Sequence, residues 1–381
     1  MKRNIAIFIN SLESGGAERV VSLLMKHIEA KYNIHLILLD DKFEFDVPKN
    51  ITIYLLGSGT NQSLYKILEL PILAIKLNRY FKRNRISTCL SFLSRPNFVL
   101  GFCKLIGTNT RCIINERTST SAYHASLGRF SAILSRILVR KLYPLADLII
   151  SNSKYSRGDL INRFNIPAEK TSVIYNPVES HKVNIVTDRN KKDIFTFIHV
   201  GKFRPEKNHL LLIRAFEKIK ELPVRLLLVG KGPTEQAVID EVHALGLNEK
   251  VLFGGFNPNP FEIISQTDCM VLSSDFEGFP NVLLEAMVNS IPIISVDCFS
   301  GPRELLAPDT DFEYSLKNNI ELGKYGILVP RRNEFLLADA MKLMFSQPDL
   351  VLKYKEGSPV RVKEFEVNSI VEKYESLISG Q

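Results

Sequence analysis

The sequence predicts an α/β protein built from two doubly wound, parallel-sheet domains that face a central cleft. Three observations carry that prediction. Short runs of near-continuous Ile, Leu and Val alternate with helix-period segments along the chain, as in parallel sheets covered on both faces. A polar run over residues 178–193 interrupts the alternation, which then restarts with another strand and a Gly-containing turn. At 381 residues the chain is too long for one ordinary core and suits two domains of roughly 150–200 residues.

In the first half, strands are expected at 4–9, 34–40, 51–56, 88–93, 111–115, 148–151 and 172–175, with helical patterns at 17–30, 64–84, 95–106, 130–142 and 155–164. In the second half the order is strand 195–200, helix 207–220, strand 224–229, helix 234–245, strand 251–254, helix 261–266, strand 269–273, helix 282–289 and strand 293–296. Ligands of such sheets bind beyond the carboxyl ends of the strands, so the turns there hold the candidate chemistry.

Composition narrows the function classes. No apolar run reaches the roughly 18 residues of a membrane span, since Pro71, Lys76 and Lys104 break the longest candidates. Lys2 and Arg3 precede only a short apolar stretch ending in Asn10, which reads as a first strand and not a signal peptide, so a cytoplasmic protein is expected. The odd, widely spaced cysteines Cys89, Cys103, Cys112, Cys269 and Cys298 contain no C-x-x-C pair and read as packing residues. A net charge of +8 asks for an anionic partner. No basic tail or aromatic-basic motif points to nucleic acid, which leaves sugar nucleotides, phosphorylated lipid carriers and anionic bilayers.

Three turns stand out. Ser14-Gly15-Gly16-Ala17-Glu18 follows the first strand and opens a helix, where close backbone approach and free N–H groups favour an anion. A tight turn without a ligand would look the same, and the absence of G-x-G-x-x-G argues against NAD. Gly201-Lys202-Phe203-Arg204-Pro205-Glu206-Lys207-Asn208 gathers Lys202, Arg204 and Lys207 at the end of a buried strand, a cluster suited to a diphosphate. Glu277-Gly278-Phe279-Pro280-Asn281 leads into a helix carrying Glu285 among Val282, Leu283, Leu284 and Met287. A helix-dipole preference explains an acid at the helix start but not one among apolar residues. Asp309-Thr310-Asp311 is a D-x-D pattern, but it lies in a polar loop beside Pro308 and is not read as a metal site.

Taken with Gly301-Pro302-Arg303-Glu304 and Tyr325-Gly326-Ile327-Leu328-Val329-Pro330, these segments resemble the retaining family 4 glycosyltransferases of GT-B fold, bacterial surface-glycan and lipid-linked oligosaccharide type. The match covers nearly the whole chain in the family's order. It implies a Rossmann-like acceptor domain over 1–177, a linker over 178–193, a Rossmann-like nucleotide-sugar domain over 194–364, and a C-terminal helix over 365–381 packing back on the first domain. It further implies Lys202 and Lys207 at the diphosphate and Glu277 at the sugar as catalytic residues, with Glu285 on the ribose. Gly15, Gly16, Gly201, Arg204, Gly278, Phe279, Pro280 and Asn281 would complete the donor site, and the loop Phe256-Asn257-Pro258-Asn259 would line the base.

The implied activity moves a hexose or N-acetylhexosamine, with UDP-N-acetylhexosamine favoured, to a lipid-diphosphate-linked or surface glycan, without cofactor or metal. A nucleotide-sugar epimerase of the same fold and a non-catalytic glycolipid-binding protein are the alternatives. Two positions depart from the pattern. Lys202 stands where the family often has Arg, and Asn115-Glu116-Arg117 stands where many members have a histidine. His124 is the nearest histidine, and Arg117 becomes a candidate acceptor ligand.

The acceptor side is basic. Lys76, Arg79 and Arg83 share one helical face with Lys82 beside them, and a second acid-free segment runs from Arg129 to Lys141. Such helices suit an anionic membrane surface, so the expected place is peripheral, at the inner face of the cell membrane.

Overall fold

The structure, a computed structural model, describes residues 2–13, 15–57, 68–180, 194–257 and 259–380. Ser14, the helical start at 64–67, most of the expected linker (181–193) and Pro258 lie outside the described residues. The chain divides into two compact units, one of Met1–Pro177 with Val367–Gln381, the other of Val178–Glu366.

The first unit contains β1 (Arg3–Ile9), β2 (Tyr32–Leu38), β3 (Thr52–Leu55), β4 (Thr88–Phe92), β5 (Arg111–Glu116), β6 (Leu148–Ser151) and β7 (Thr171–Val173). They form one parallel sheet in the order β3-β2-β1-β4-β5-β6-β7. Alternate residues of β1 serve opposite cores. Ala6 and Phe8 pack with Leu73, Leu77 and Phe81 of the helix Leu70–Asn84, while Ile5, Ile7 and Ile9 pack with Val20 and Leu24 of the helix Gly16–Ile28. That is why the strands read as unbroken apolar runs. The helix Val367–Ser379 completes the second of these layers through Ile370, Val371, Tyr374 and Ile378. Each such fully buried side chain contributes roughly 1.5–3 kcal/mol.

The second unit holds β8 (Phe195–Val200), β9 (Val224–Val229), β10 (Val251–Phe253), β11 (Cys269–Leu272), β12 (Ile293–Val296), β13 (Glu321–Leu322) and β14 (Ile327–Val329). Their order is β10-β9-β8-β11-β12-β14-β13, parallel except for β13 against β14 at the edge. Phe197, Leu226, Leu228, Val271, Ile294 and Val329 face a core shared with Leu212 and Phe216 of the helix His209–Glu217 and Leu337 and Met341 of the helix Glu334–Ser346.

One boundary differs in a way that matters. The helix expected from 207 begins at His209, because Asn208 takes a left-handed conformation (φ 49°) and Pro205–Lys207 form a 3-10 turn. Lys207 is therefore held on the loop, not along a helix side. All five cysteines are buried free thiols. Burial drives their ionisation well up, that of Cys112 to about 12.

Candidate functional site

In the second unit the strand order reverses between β8 and β11, and a crevice is expected at that switch point. The β8–β11 ladder pairs Cys269 with Phe197 and Met270 with Ile198. Beyond it, the His199 ring takes over from the backbone, with Nδ1 2.8 Å from the Val271 carbonyl. A carbonyl only accepts, so Nδ1 carries the proton and Nε2 a lone pair. His199 is fully buried and its pKa is pushed down to about 4, chiefly by desolvation. His209, stacked on Phe203 at 4.2 Å and edge-on to His199 at 4.6 Å, is pushed to about 2 for the same reason. Two neutral imidazoles thus floor the site without opposing the lysine above them.

That lysine is Lys207. Its Nζ lies 2.6 Å from Glu277 Oε1, joining the loop after β8 to the loop after β11. Ser274 donates to the same carboxylate oxygen at 2.6 Å, and Ser273 donates to the Lys207 carbonyl at 2.8 Å. The pair is mostly sheltered, with side chains 22% and 12% exposed. Lys202 and Gly201 are half-buried in the same loop, whereas Arg204 is 53% exposed with Glu206 4.0 Å away.

The loop after β12 closes the arrangement. Glu277 N–H donates to the Phe299 carbonyl at 3.2 Å, and Ser300 donates to the Gly278 carbonyl at 2.6 Å. Gly301 has φ 89°, and a Cβ there would stand 2.7 Å from Pro280 Cδ and 2.8 Å from the Gly278 oxygen, so only glycine fits. Phe279 packs against Phe365 at 5.3 Å. Gly278, Phe279 and Pro280 are buried, and Asn281 opens the helix Asn281–Val288, in which Glu285 is 2% exposed. Phe256 is 40% exposed and Asn257 accepts from Asn259 N–H at 2.8 Å, on the loop that follows β10.

The first unit places its candidates differently. Gly15 caps the helix Gly16–Ile28 with extended backbone (φ −163°), and the Glu18 carboxylate folds over it, into the space a Cβ would take. Arg117, the candidate acceptor ligand, lies inside the first unit. It is 8% exposed, its guanidinium donates to Asn176 and to Tyr374 at 3.4 Å, and burial lowers its pKa. Tyr374 in turn donates to Asn115 at 3.1 Å, so Arg117 fastens the helix Val367–Ser379 to its sheet. His124 is also buried, with Nε2 2.7 Å from Ser135 and its pKa lowered by desolvation.

Lys76, Arg79, Lys82 and Arg83 are carried by the helix Leu70–Asn84, none of them among its buried residues. Asp309 meets Lys324 at 3.1 Å on the surface, and among the described residues no group of three or more His, Cys, Asp or Glu is placed to hold a metal. None of the described helices is long and apolar enough to cross a membrane.

Sequence reasoning missed Ser273, Ser274, His199 and Phe299. Only the serines had a signal, as small polar residues closing a buried strand just before Glu277.

Two doubly wound sheets in one chain, with a lysine–glutamate pair spanning the switch point of the second, give the two-domain architecture of the GT-B class. Comparison with known proteins makes the assignment specific. The chain belongs to glycosyltransferase family 4: the Glycosyltransferase Family 4 model matches residues 14–182 and the Glycosyl transferases group 1 model matches residues 184–359. It is 34% identical, over 96% of both chains, to the N-acetylgalactosamine-N,N'-diacetylbacillosaminyl-diphospho-undecaprenol 4-alpha-N-acetylgalactosaminyltransferase of Campylobacter jejuni. It is 24% identical, over 98% of both, to the GalNAc-alpha-(1->4)-GalNAc-alpha-(1->3)-diNAcBac-PP-undecaprenol alpha-1,4-N-acetyl-D-galactosaminyltransferase of the same organism. Among solved structures, Anabaena HepE in complex with UDP and glucose superposes over 100% of both chains with a TM-score of 0.77 at 19% identity, a likeness of fold.

Proposed function

We propose that this glycosyltransferase moves an N-acetylhexosamine, or a hexose, from a UDP-sugar to a glycan carried on a lipid diphosphate, with retention at the anomeric carbon and without a metal ion. The observation that carries the reading is the Lys207–Glu277 pair at the second unit's switch point. Lys207 is sheltered and, among the described residues, tethered to a carboxylate by a single contact, so it can turn to an arriving phosphate while Ser274 keeps Glu277 in place. Lys202 and Arg204 add charge from the same loop, and stabilising the departing diphosphate is the main way such a site lowers the barrier. Glu277 then orients the sugar, Glu285 the ribose, and Gly278 to Asn281 present backbone groups to the donor. The leaving phosphate takes the acceptor hydroxyl's proton on the face it departs from. The acceptor class follows the Campylobacter relatives, whose names specify undecaprenol-linked glycans, and the nucleotide follows the UDP bound by HepE.

Peripheral contact with an anionic membrane, at the inner face of the cell membrane, is part of the proposal. Ile72 and Ile75, 57% and 43% exposed, lie on the same helix as Lys76, Arg79, Lys82 and Arg83. On the helix Arg129–Leu142, Phe130, Ile133 and Ile137 form a stripe 70%, 54% and 50% exposed, bordered by Arg129, Arg136, Arg140 and Lys141. Both helices pack on the helix Ser94–Leu105, so their apolar and basic residues belong to one layer of the first unit, as an interfacial surface requires.

The test is transfer of labelled sugar from a panel of nucleotide sugars to undecaprenyl-diphosphate-linked glycan in EDTA, with the anomeric configuration of the product read by NMR. The expected product is an α-linked N-acetylhexosamine from its α-linked UDP donor. Activity lost in EDTA and restored by Mn²⁺ would refute metal independence, and a β-linked product would refute retention.

A further inference from the structure

A further arginine lies on the turn that follows β14. Arg331 stands two residues past β14, and its guanidinium lies over the Phe299 ring, 3.9 Å from the centroid. Stacking fixes the plane of a guanidinium while leaving its edge N–H groups available. Arg331 forms no ion pair among the described residues. The turn that presents it is unusual. Arg332 takes a left-handed backbone (φ 56°), a conformation uncommon for a residue with a side chain and concentrated at functional sites. Its guanidinium holds Asp275 through Nε at 3.3 Å and Nη2 at 3.2 Å, and Asp275 N–H donates to the Glu206 carbonyl at 2.8 Å. The turn carrying both arginines is thus tied to the loops that carry Lys207 and Glu277.

Phe299, the shelf under Arg331, belongs to those loops as well. Its carbonyl accepts the Glu277 N–H, and its backbone bridges to Phe276. Burial chiefly raises the pKa of the Cys298 thiol, and the charges of Glu277, Asp297, Lys207 and Arg331 act on it as well, so all four lie near one stretch of the sheet's carboxyl edge.

We propose that Arg331 is an additional oxyanion ligand of this site, its edge N–H groups binding a diphosphate oxygen from the β14 side while Lys207 binds from the β8 side. A guanidinium fork matches phosphate better than an ammonium does, and it supplies the planar contact that Lys202 cannot. This inference rests on the glycosyltransferase reading above. The diphosphate has two possible sources, the nucleoside diphosphate of the donor and the lipid diphosphate of the acceptor.

The experiment is calorimetric titration of the full chain with UDP and, separately, with farnesyl diphosphate as a short soluble lipid diphosphate. Wild type, Arg331→Met, Arg331→Lys, Phe299→Leu and Lys207→Ala are compared. Arg331→Met is expected to weaken one of the two diphosphates by roughly tenfold, the size of one charge-assisted hydrogen bond. Arg331→Lys should recover only part of that, and Phe299→Leu should give an intermediate loss by removing the shelf. Loss toward UDP assigns Arg331 to the donor, loss toward farnesyl diphosphate assigns it to the acceptor, and loss toward both assigns it to the shared chemistry. If both affinities are unchanged in Arg331→Met while Lys207→Ala weakens UDP, the inference falls and the donor site stands. If the wild type binds neither ligand, the functional reading falls and takes the inference with it.

Discussion

Glu116 closes β5 in the first unit and is 3% exposed, so its carboxyl is cut off from water. Tyr143 donates to Oε2 at 2.8 Å and Arg117 N–H donates to Oε1 at 3.1 Å. Desolvation outweighs both and, with the nearby Asp159 charge, lifts the pKa from 4.5 to about 7. The folded state therefore holds this proton more tightly than the unfolded chain. The associated stability is fully present below pH 4.5 and is lost as the pH rises through about 7. A shift of about 2.5 units at 1.36 kcal/mol each amounts to about 3 kcal/mol. Glu116→Gln stays neutral and keeps an acceptor for the Arg117 N–H. It should match wild type near pH 4.5 and exceed it by about 3 kcal/mol at pH 8. Hydrogen exchange of peptides covering β5, corrected for intrinsic rates, measures this within the unit that contains Glu116. Depressed histidines such as His124 act in the opposite direction, so the quantity to read is the difference between variant and wild type at each pH. A difference that is constant with pH, or that grows on acidification, would refute the reasoning.

Other consequences can be measured on the same protein. Among the described residues neither ring nitrogen of His209 has a hydrogen-bond partner, and its pKa is pushed down from 6.5 to about 2. It costs stability as the pH falls below 6.5, so His209→Phe, which keeps the stack on Phe203, should raise the Tm more at about pH 5 than at about pH 8. An equal gain at both would argue that the imidazole is not held neutral. Arg303 forks onto Asp297 at 2.7 and 3.1 Å with both side chains buried, and Arg303→Met should cost about 3–5 kcal/mol by stranding that carboxylate. A urea midpoint close to wild type would contradict it. Reversing Lys76, Arg79, Lys82 and Arg83 removes about 1 kcal/mol of attraction per charge, so the variant should fail to sediment with anionic liposomes at about 0.1 M salt, where wild type does. Sedimentation unaffected by the reversal would end the membrane proposal.

Much of this architecture was legible because it rests on burial. A strand covered on both faces must be apolar throughout, so β1, β8 and β12 could be placed nearly residue by residue, and the strand ends then located the turns. The Lys207–Glu277 contact was legible only as two motifs lying 70 residues apart, since pairing across a switch point leaves no periodic trace. Elements past β12 were harder. The helix Pro348–Val362 contains Gly357 and Pro359, β13 has two residues, and the helix Thr120–Ser126 in the first unit buries only Thr120 and His124, so none shows a clean period. The surroundings of Arg117 were hidden for a different reason. An arginine after a strand looks like an anion ligand, and nothing local reveals that Asn176 and Tyr374, distant in sequence, take up its guanidinium. Arg331 carried no signal at all until Phe299 was seen beneath it.

The central claim is that Lys207, paired with Glu277 at the switch point, holds the diphosphate of a nucleotide-sugar donor. Titrating UDP into the wild type and into Lys207→Ala tests it most directly, with circular dichroism confirming that the variant is folded. Loss of one charge-assisted hydrogen bond, about 1.5–3 kcal/mol, predicts that Lys207→Ala binds UDP roughly 10- to 100-fold more weakly. A folded Lys207→Ala protein that binds UDP as tightly as the wild type would contradict the account.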